Sequence, residues 1–273
     1  MGELHGYRTQ MDACYMRDAL IPLDSKRKMD LTINTYGYDV DSVSYEVRSL
    51  DTQRKIADTK VSDWNKDGNT WTKSLQIENL VDEGQEYLFI LKLHCKSDDL
   101  YYYTRITLPE ETYAKKCLEF TDSFHNVSMS DQYELLASYI EPADYTDKND
   151  LGNVNINSSI DQIGWRGFAG KQVGDPLVSF TDINDTYASL VYTYQMAEEA
   201  DGATNYYNVE EYYKVRYTDQ QIYLLDYQRS MEQIIDTASV NVSGNILSVG
   251  VTSDTTGYLS NETGTIVSFV QSG

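Results

Sequence analysis

From Met29 onward, apolar residues alternate with polar ones at a spacing of two, the pattern of a half-buried strand. Leu31 and Ile33 begin it, and Val43, Tyr45 and Val47 repeat it behind the turn-forming stretch Gly37–Asp41. Leu75 and Ile77 follow, then Tyr87, Phe89, Leu91, Leu93 and Cys95 on one strand face. A short Ser97–Asp99 turn leads into YYYTRITL, which ends at Pro109. Some seven short strands at this spacing predict a β-sandwich over residues 28–109. Ahead of it, residues 1–27 form a lead-in segment. A helical pattern in Met11, Tyr15 and Leu20 is stopped there by Pro22.

The period changes after Pro109. Pro109 suits a first helical turn, and Glu110 and Glu111 suit its positive end. Tyr113, Cys117, Phe120 and Phe124 then make one apolar stripe. A second helix is predicted from an N-cap at Ser130, burying Leu135, Leu136, Tyr139 and Ile140 and stopping before Pro142. Residues 110–143 therefore read as a helical connector, and the polar ADYTDKNDLGN stretch as a boundary.

Residues 144–273 return to alternation. Tyr187–Met196, Tyr206–Tyr217 and Ile222–Tyr227 predict an antiparallel meander, the last two joined by a TDQQ turn. The pieces VSGNILSVGV and NETGTIVSFV read as further hairpins, fitting either a sandwich or the start of a propeller that continues beyond Gly273. The expected fold class is thus mostly β: sandwich, short helical connector, antiparallel β domain.

The stretch SLQIENLVDEGQEYLFILKL resembles the region between strands E and F of fibronectin type III and immunoglobulin-like domains. In that family a Leu closes strand E, and a Tyr opens strand F to form the tyrosine corner. The resemblance gives those roles to Leu80 and Tyr87, with Gly84 in the turn. It covers about residues 28–109 and departs from the family in two ways. No Trp stands on strand B, where Tyr36 or Tyr38 is nearest, and the Leu–Tyr spacing is one residue longer.

Composition adds a constraint on partners. The 273 residues carry 43 acidic and 22 basic side chains, a formal net charge of -21. Such a chain repels phosphate backbones and anionic lipid surfaces, which argues against nucleic acid and membrane-surface binding. No apolar run approaches the ~18 residues of a membrane span. Tyrosine is over-represented, with 24 Tyr against 6 Phe and 3 Trp. Its ring packs while its hydroxyl stays hydrated, which suits strands with one wet face. Cys14, Cys95 and Cys117 form an odd, sparse set with no CxxC spacing, which indicates neither a disulfide framework nor a zinc site. The N-terminal residues lack the basic start and apolar stretch of a signal peptide, so the expectation is a leader or anchor lost before this numbering.

Few motifs carry chemistry. In DWNKDGNTW, Asp63, Asn65, Asp67 and Gly68 match the first half of a calcium loop, but Ser74 stands where a bidentate acid is needed. The competing reading is a tight Lys66–Asn69 hairpin turn braced by Trp64 and Trp71. GWRGFAGK fails as a phosphate loop on glycine spacing and because Gln172 replaces the magnesium-holding Ser or Thr. The three histidines, His5, His94 and His125, match no metal or nucleophile signature. Glu198, Glu199 and Asp201 read as a solvated loop, and Glu211 as a sheet-edge or interface charge. Five N-x-[ST] sequons fit an Asn/Ser/Thr-rich bacterial composition. The positive candidate is an aromatic surface for a glycan or protein partner: Trp165, Tyr206 and Tyr212, with Lys214 and Arg216 on the same strand face as the two tyrosines.

Together these features lead to the expectation of a non-catalytic, extracytoplasmic binding, adhesion or sensory ectodomain of a bacterial surface protein. No resident cofactor is expected, calcium at the residue 63–67 site being the exception. The alternatives are an accessory carbohydrate-binding region of a glycan-active enzyme and a regulatory ectodomain of a membrane signalling system.

Overall fold

The computed structural model describes residues 2–14, 19–77, 81–96, 98–140, 151–200, 202–218, 221–234 and four short strands at 241–243, 246–248, 257–260 and 267–270. The molecule is mostly β, and its first half is a sandwich. One sheet is built from β3 (Val40–Ser49), β4 (Lys55–Val61), β7 (Glu86–Cys95) and β8 (Asp99–Thr107), in the order β4-β3-β7-β8. Facing it are β2 (Lys28–Asn34), β5 (Asn65–Asp67) and β6 (Thr70–Gln76), in the order β2-β6-β5. The predicted parity decides what lies between them. Met29, Ile33 and Leu75 of one sheet pack on Val43, Tyr45, Val47, Phe89, Leu91 and Leu93 of the other. Alternate residues face opposite ways along a strand, so each sheet needs only one apolar side to close this core.

Tyr87 opens β7 and its hydroxyl turns back on the preceding loop. It accepts from the backbone N–H of Asp82 at 3.1 Å and donates to the Asp82 carboxylate at 3.2 Å. Gly84, in the turn between them, has φ +71°, a conformation that costs glycine little. Leu80, its expected partner, lies outside the described residues.

The lead-in segment departs from its prediction. Residues 2–14 form no helix; they run along the outer face of the sandwich, where Tyr7 pairs with Tyr101. Tyr15, part of the expected stripe, lies outside the described residues. Leu88, Ile90 and Tyr103 point outward from β7 and β8 and are buried under Ala13 and Tyr7. Both faces of β7 are apolar, and a covering segment satisfies the second face where a helix was expected. Leu20 then enters β1 (Leu20–Pro22), which pairs parallel with β8.

β1 also pairs antiparallel, through Leu20 and Phe180, with β10 (Lys171–Ile183) of the second half. The two halves therefore share one ten-stranded sheet, continuing through β11 (Ala188–Ala200), β12 (Ala203–Tyr217), β13 (Ile222–Gln233) and the short edge strand β9 (Asn153–Asn155). Arg105, almost fully buried at this seam, donates to Glu86 at 2.7 Å and to the Thr181 carbonyl at 2.6 Å, tying the sandwich to β10.

In the second half the meander forms as predicted, with Thr218 and Gln221 closing the turn between β12 and β13. The helical segment is more than a connector. α1 (Glu111–Ser128) lays Cys117, Phe124 and half-buried Tyr113 and Phe120 onto this sheet, and Glu110 accepts from the Tyr113 N–H at its start. The second helix is a 3-10 helix, Tyr133–Tyr139, and Gln132 precedes it without a side-chain cap. Three residues per turn set Leu136 and Tyr139 on one side and Leu135 off it. Leu136 and the following Ile140 are buried as expected; Tyr139 meets Phe120 but is 41% exposed, and Leu135 is 64% exposed, contrary to the α-helical expectation. α2 (Ile160–Ile163), capped by Ser159 and Gln162, closes the end of the core. The predicted hairpins appear as β14 (Asn241–Ser243) with β15 (Ile246–Ser248), and β16 (Gly257–Ser260) with β17 (Val267–Val270). Of the expected boundary, residues 143–153, residues 143–150 lie outside the described residues, and Asn153 already begins β9.

Gly164, just after α2, sits against the 3-10 helix so closely that an added Cβ would meet the Tyr133 ring at 2.1 Å. Gly164→Ala is therefore expected to destabilise the protein by about 1–3 kcal/mol through overpacking. Urea denaturation of the variant checks this, with an unchanged m-value expected.

Candidate functional site

The inner face of the second sheet, under α1, carries a buried polar cluster. Its members come from three elements by simple periodicity. Thr121, Asp122 and His125 share one helical face of α1, three and four residues apart. Tyr192 and Tyr194 on β11, Glu211 and Tyr213 on β12, and Tyr227 and Arg229 on β13 alternate inward along their strands. The register sets Tyr192, Glu211 and Arg229 side by side in one row across three strands.

Glu211 is the centre. It is 0% exposed, on a strand flanked on both sides, so it is neither the edge nor the interface charge expected from its sequence. One carboxylate oxygen accepts from Tyr194 at 3.1 Å and Tyr227 at 3.2 Å. The other pairs with His125 Nδ1 at 2.7 Å and accepts from Tyr213 at 2.7 Å. Two partners per oxygen fill the acceptor capacity of a carboxylate.

His125 is 3% exposed. Its Nε2 faces the side-chain oxygen of Gln172 at 3.0 Å, and the Gln172 amide N–H₂ is turned away, donating to the Gly174 carbonyl at 2.9 Å. Both ring nitrogens thus meet acceptors, an arrangement that favours the doubly protonated imidazolium. Its place in the last turn of α1 adds the helix's negative end. Burial works against the cation, but Glu211 and Gln172 more than offset it and the His125 pKa is raised. For Glu211, burial favours the neutral acid, yet His125, Arg229 and Tyr213 outweigh it and its pKa lies below the usual carboxylate value.

Around this pair, Tyr192 donates to Asp122 at 2.5 Å and meets the Thr121 hydroxyl at 2.8 Å. Burial, then neighbouring Glu211, pushes the Tyr213 and Tyr227 hydroxyls well up. Arg229 turns its fork to the end of α2, donating to the Ile163 and Gln162 carbonyls at 2.9 and 2.6 Å. Its guanidinium lies 3.6 Å from the centre of the Trp165 ring.

Chemically this is a closed lattice. A carboxylate beside an imidazole is the pairing used for general acid–base work, but a catalytic base must reach the proton it moves. Here every acceptor of Glu211 and both donors of His125 are engaged by protein groups, beneath α1.

The residues singled out from sequence fall elsewhere. Trp165, expected on a partner surface, is 6% exposed and stacks on Phe168 and Arg229 inside the core. Tyr206 is exposed on the outer face, and half-buried Tyr212, six residues farther along β12 on that face, bonds Ser189 at 3.3 Å. On that face Lys214 covers the Tyr187 ring and Arg216 the Tyr223 ring, at 4.0 and 5.1 Å. Glu198 and Glu199 lie on β11 and bond Tyr207 and Thr204 across the hairpin. Asp201 lies outside the described residues.

Asp63, Asn65 and Asp67 belong to the β5–β6 hairpin and its approach. Asn65 bonds Thr72, Ser62 donates to Asp63, and Lys66 lies 3.4 Å over the Trp71 ring. Among the described residues no group of three or more His, Cys, Asp or Glu is placed to hold a metal ion. His94 points to solvent, as its parity predicted, and bonds Asp99.

The three cysteines are thiols, not disulfide partners. Burial under α1 pushes the Cys117 thiol up to about 11. Titration of the native protein with DTNB is expected to modify Cys14 and Cys95 but not Cys117, which reacts only after unfolding. Burial and then Asp41, Asp98 and Asp99 also raise the Cys95 thiol, which should slow its reaction relative to a free thiol.

Sequence reasoning missed the His125–Glu211 pair. Two signals pointed at it: a carboxylate sharing its strand face with Val209, Tyr213 and Val215, and a histidine four residues after buried Thr121.

A search of protein-family models, curated proteins and solved structures finds no match to this chain.

Proposed function

We propose that this chain is a non-catalytic binding or sensory ectodomain of a bacterial surface protein, acting outside the cytoplasm on a protein or glycan partner. The observation that carries this reading is the sealed inner cluster. The acid–base pair of the second half is spent on holding α1 to the sheet, while the side chains open to a partner lie on the outer sheet face. The Tyr87 corner and the four-on-three sandwich agree with the fibronectin type III and immunoglobulin resemblance, a style of domain common in surface proteins; this step is analogy of fold. The shared sheet and the Arg105 tie give such a module a fixed relation between its halves. Among the described residues no helix is long and apolar enough to cross a membrane.

A sugar-stacking role for the tyrosines has less support, since Trp165 is buried and the Tyr187 and Tyr223 rings are covered by cations. Protease shaving of intact cells that express the native gene tests placement. Peptides from this chain are expected in the released fraction, and their recovery from lysed cells alone would refute it. Hydrolysis of a glycan or peptide substrate that disappears in Glu211→Gln would refute the non-catalytic half.

A further inference from the structure

We propose that the outer face of the second sheet docks an extended peptide segment bearing an aliphatic side chain and, roughly three to four residues along, Lys or Arg. The proposal deepens the binding-module reading and rests on it.

The strand register lays two adjacent rows across this face. One runs Leu177, Thr193, Glu210, Ser230; the next runs Val173, Gln195, Asn208, Glu232. Each row begins with an aliphatic side chain on β10, passes polar residues, and reaches a carboxylate on β12 or β13. Val173 is 45% exposed and Leu177 47% exposed. Between them β10 leaves register with β11, and this bulge, which contains Gly174, Asp175 and Pro176, widens the face into a depression of about 630 Å³.

The two ends of each row ask for different chemistry. Val173 and Leu177 offer an apolar landing. Asp175, Glu210 and Glu232 are exposed, and among the described residues none of the three has a Lys, Arg or His partner. Strands lie ~4.8 Å apart, so Leu177 to Glu210 spans ~10 Å and Val173 to Glu232 ~14 Å. An extended chain advances ~3.3 Å per residue, which sets the spacing between its apolar and cationic side chains.

Charge selects the occupant. The chain's net -21 opposes face-to-face association of two copies and draws a cationic segment. Lys214 and Arg216 lie farther along β12 over Tyr187 and Tyr223, and exposed Lys171, two residues before Val173 on β10, stands one row beyond the apolar end, three strands from Glu232; none of the three lines the depression.

The test is fluorescence anisotropy of fluorescein-labelled Leu-Ser-Thr-Lys-Lys-Ser against the full chain at low salt. Two comparison peptides carry Ser for Leu, or Glu for both Lys. Saturable binding is expected for the first peptide only, and salt should weaken it. Glu210→Gln with Glu232→Gln should weaken it roughly five- to tenfold, the size expected of two exposed ion pairs. Leu177→Ser should also weaken it, and Lys214→Gln, outside the depression, should not. All these positions are exposed or half-buried, and an unchanged melting temperature would show that the fold is kept.

Absence of saturable binding would overturn the proposal, as would equal binding of the Leu-free peptide, which reports only bulk attraction to an acidic chain. So would an affinity undiminished in the double variant. A dimer in sedimentation that the double variant dissolves would replace the peptide with a second copy. None of these failures touches surface exposure, which protease shaving decides separately.

Discussion

Replacing His125 with leucine is expected to destabilise the second half of the protein by about 3–5 kcal/mol, the cost of leaving one member of a buried ion pair alone. Glu211 would keep three tyrosine donors but lose its counter-charge beneath α1, 0% exposed to water. Adding Glu211→Gln to His125→Leu should recover part of the loss. The amide oxygen can still accept from Tyr194 and Tyr227, and the unpaired buried carboxylate is gone, Arg229 remaining as the buried charge of the row. Glu211→Gln alone leaves His125 facing a weaker acceptor and should also be costly. The double-mutant cycle is therefore expected to be non-additive by more than about 1 kcal/mol, as befits side chains in direct contact. Urea denaturation of the four proteins measures it, and additivity would remove the pair from its central place.

The same pair imposes a pH dependence whose sign follows from the two shifts. The folded His125 pKa is raised, so its contribution is complete below its unfolded value near 6.5 and fades as pH climbs through the higher folded one. The folded Glu211 pKa is lowered, so its contribution is complete above its unfolded value near 4.5 and fades as pH drops through the lower folded one. The pair stabilises most between 4.5 and 6.5. A second alkaline loss is expected above pH 10, where the unfolded chain's tyrosines ionise while buried Tyr213 and Tyr227 resist. The double variant should lose the first alkaline limb and keep the second.

The other large effect is expected at Arg229. Arg229→Met should cost about 3 kcal/mol, because two buried carbonyls at the end of α2 lose charge-assisted partners. The Trp165 ring would lose the cation on its face, and Glu211 a favourable charge. Arg229→Lys should recover little, since a point ammonium cannot donate to both carbonyls from one planar fork. The measurement is the denaturation midpoint of each variant. A lysine variant as stable as the parent would show that charge alone matters here.

Much of the architecture was legible in the chain because strand parity is a local property. Tyr87, Phe89, Leu91 and Leu93 announced their buried face, and Tyr207 to Tyr217 announced a shared face, although Glu211 on it read as an edge or interface charge. The turns were legible for the same reason: backbone demands at Gly84 and across TDQQ are met by residues next to one another. Local pattern also placed α1 and its stripe.

Partnership was another matter. His125 and Glu211 stand 86 positions apart, and nothing local says that a helix face will cover that row of the sheet. The lead-in segment failed as a helix because β7 has two apolar faces, and only the folded sheet showed that the second needed cover. Trp165 looked like a surface anchor until Arg229, 64 positions later, supplied its cation from a strand. The outer rows from Val173 and Leu177 to Glu232 and Glu210 exist only once register is set, since a slip of one residue would turn every side chain over. Periodicity in the sequence alone told which residues share a face along each strand and along α1. The tertiary structure decided which inward charges meet and which outward rows form, because those depend on pairing between segments far apart in the chain.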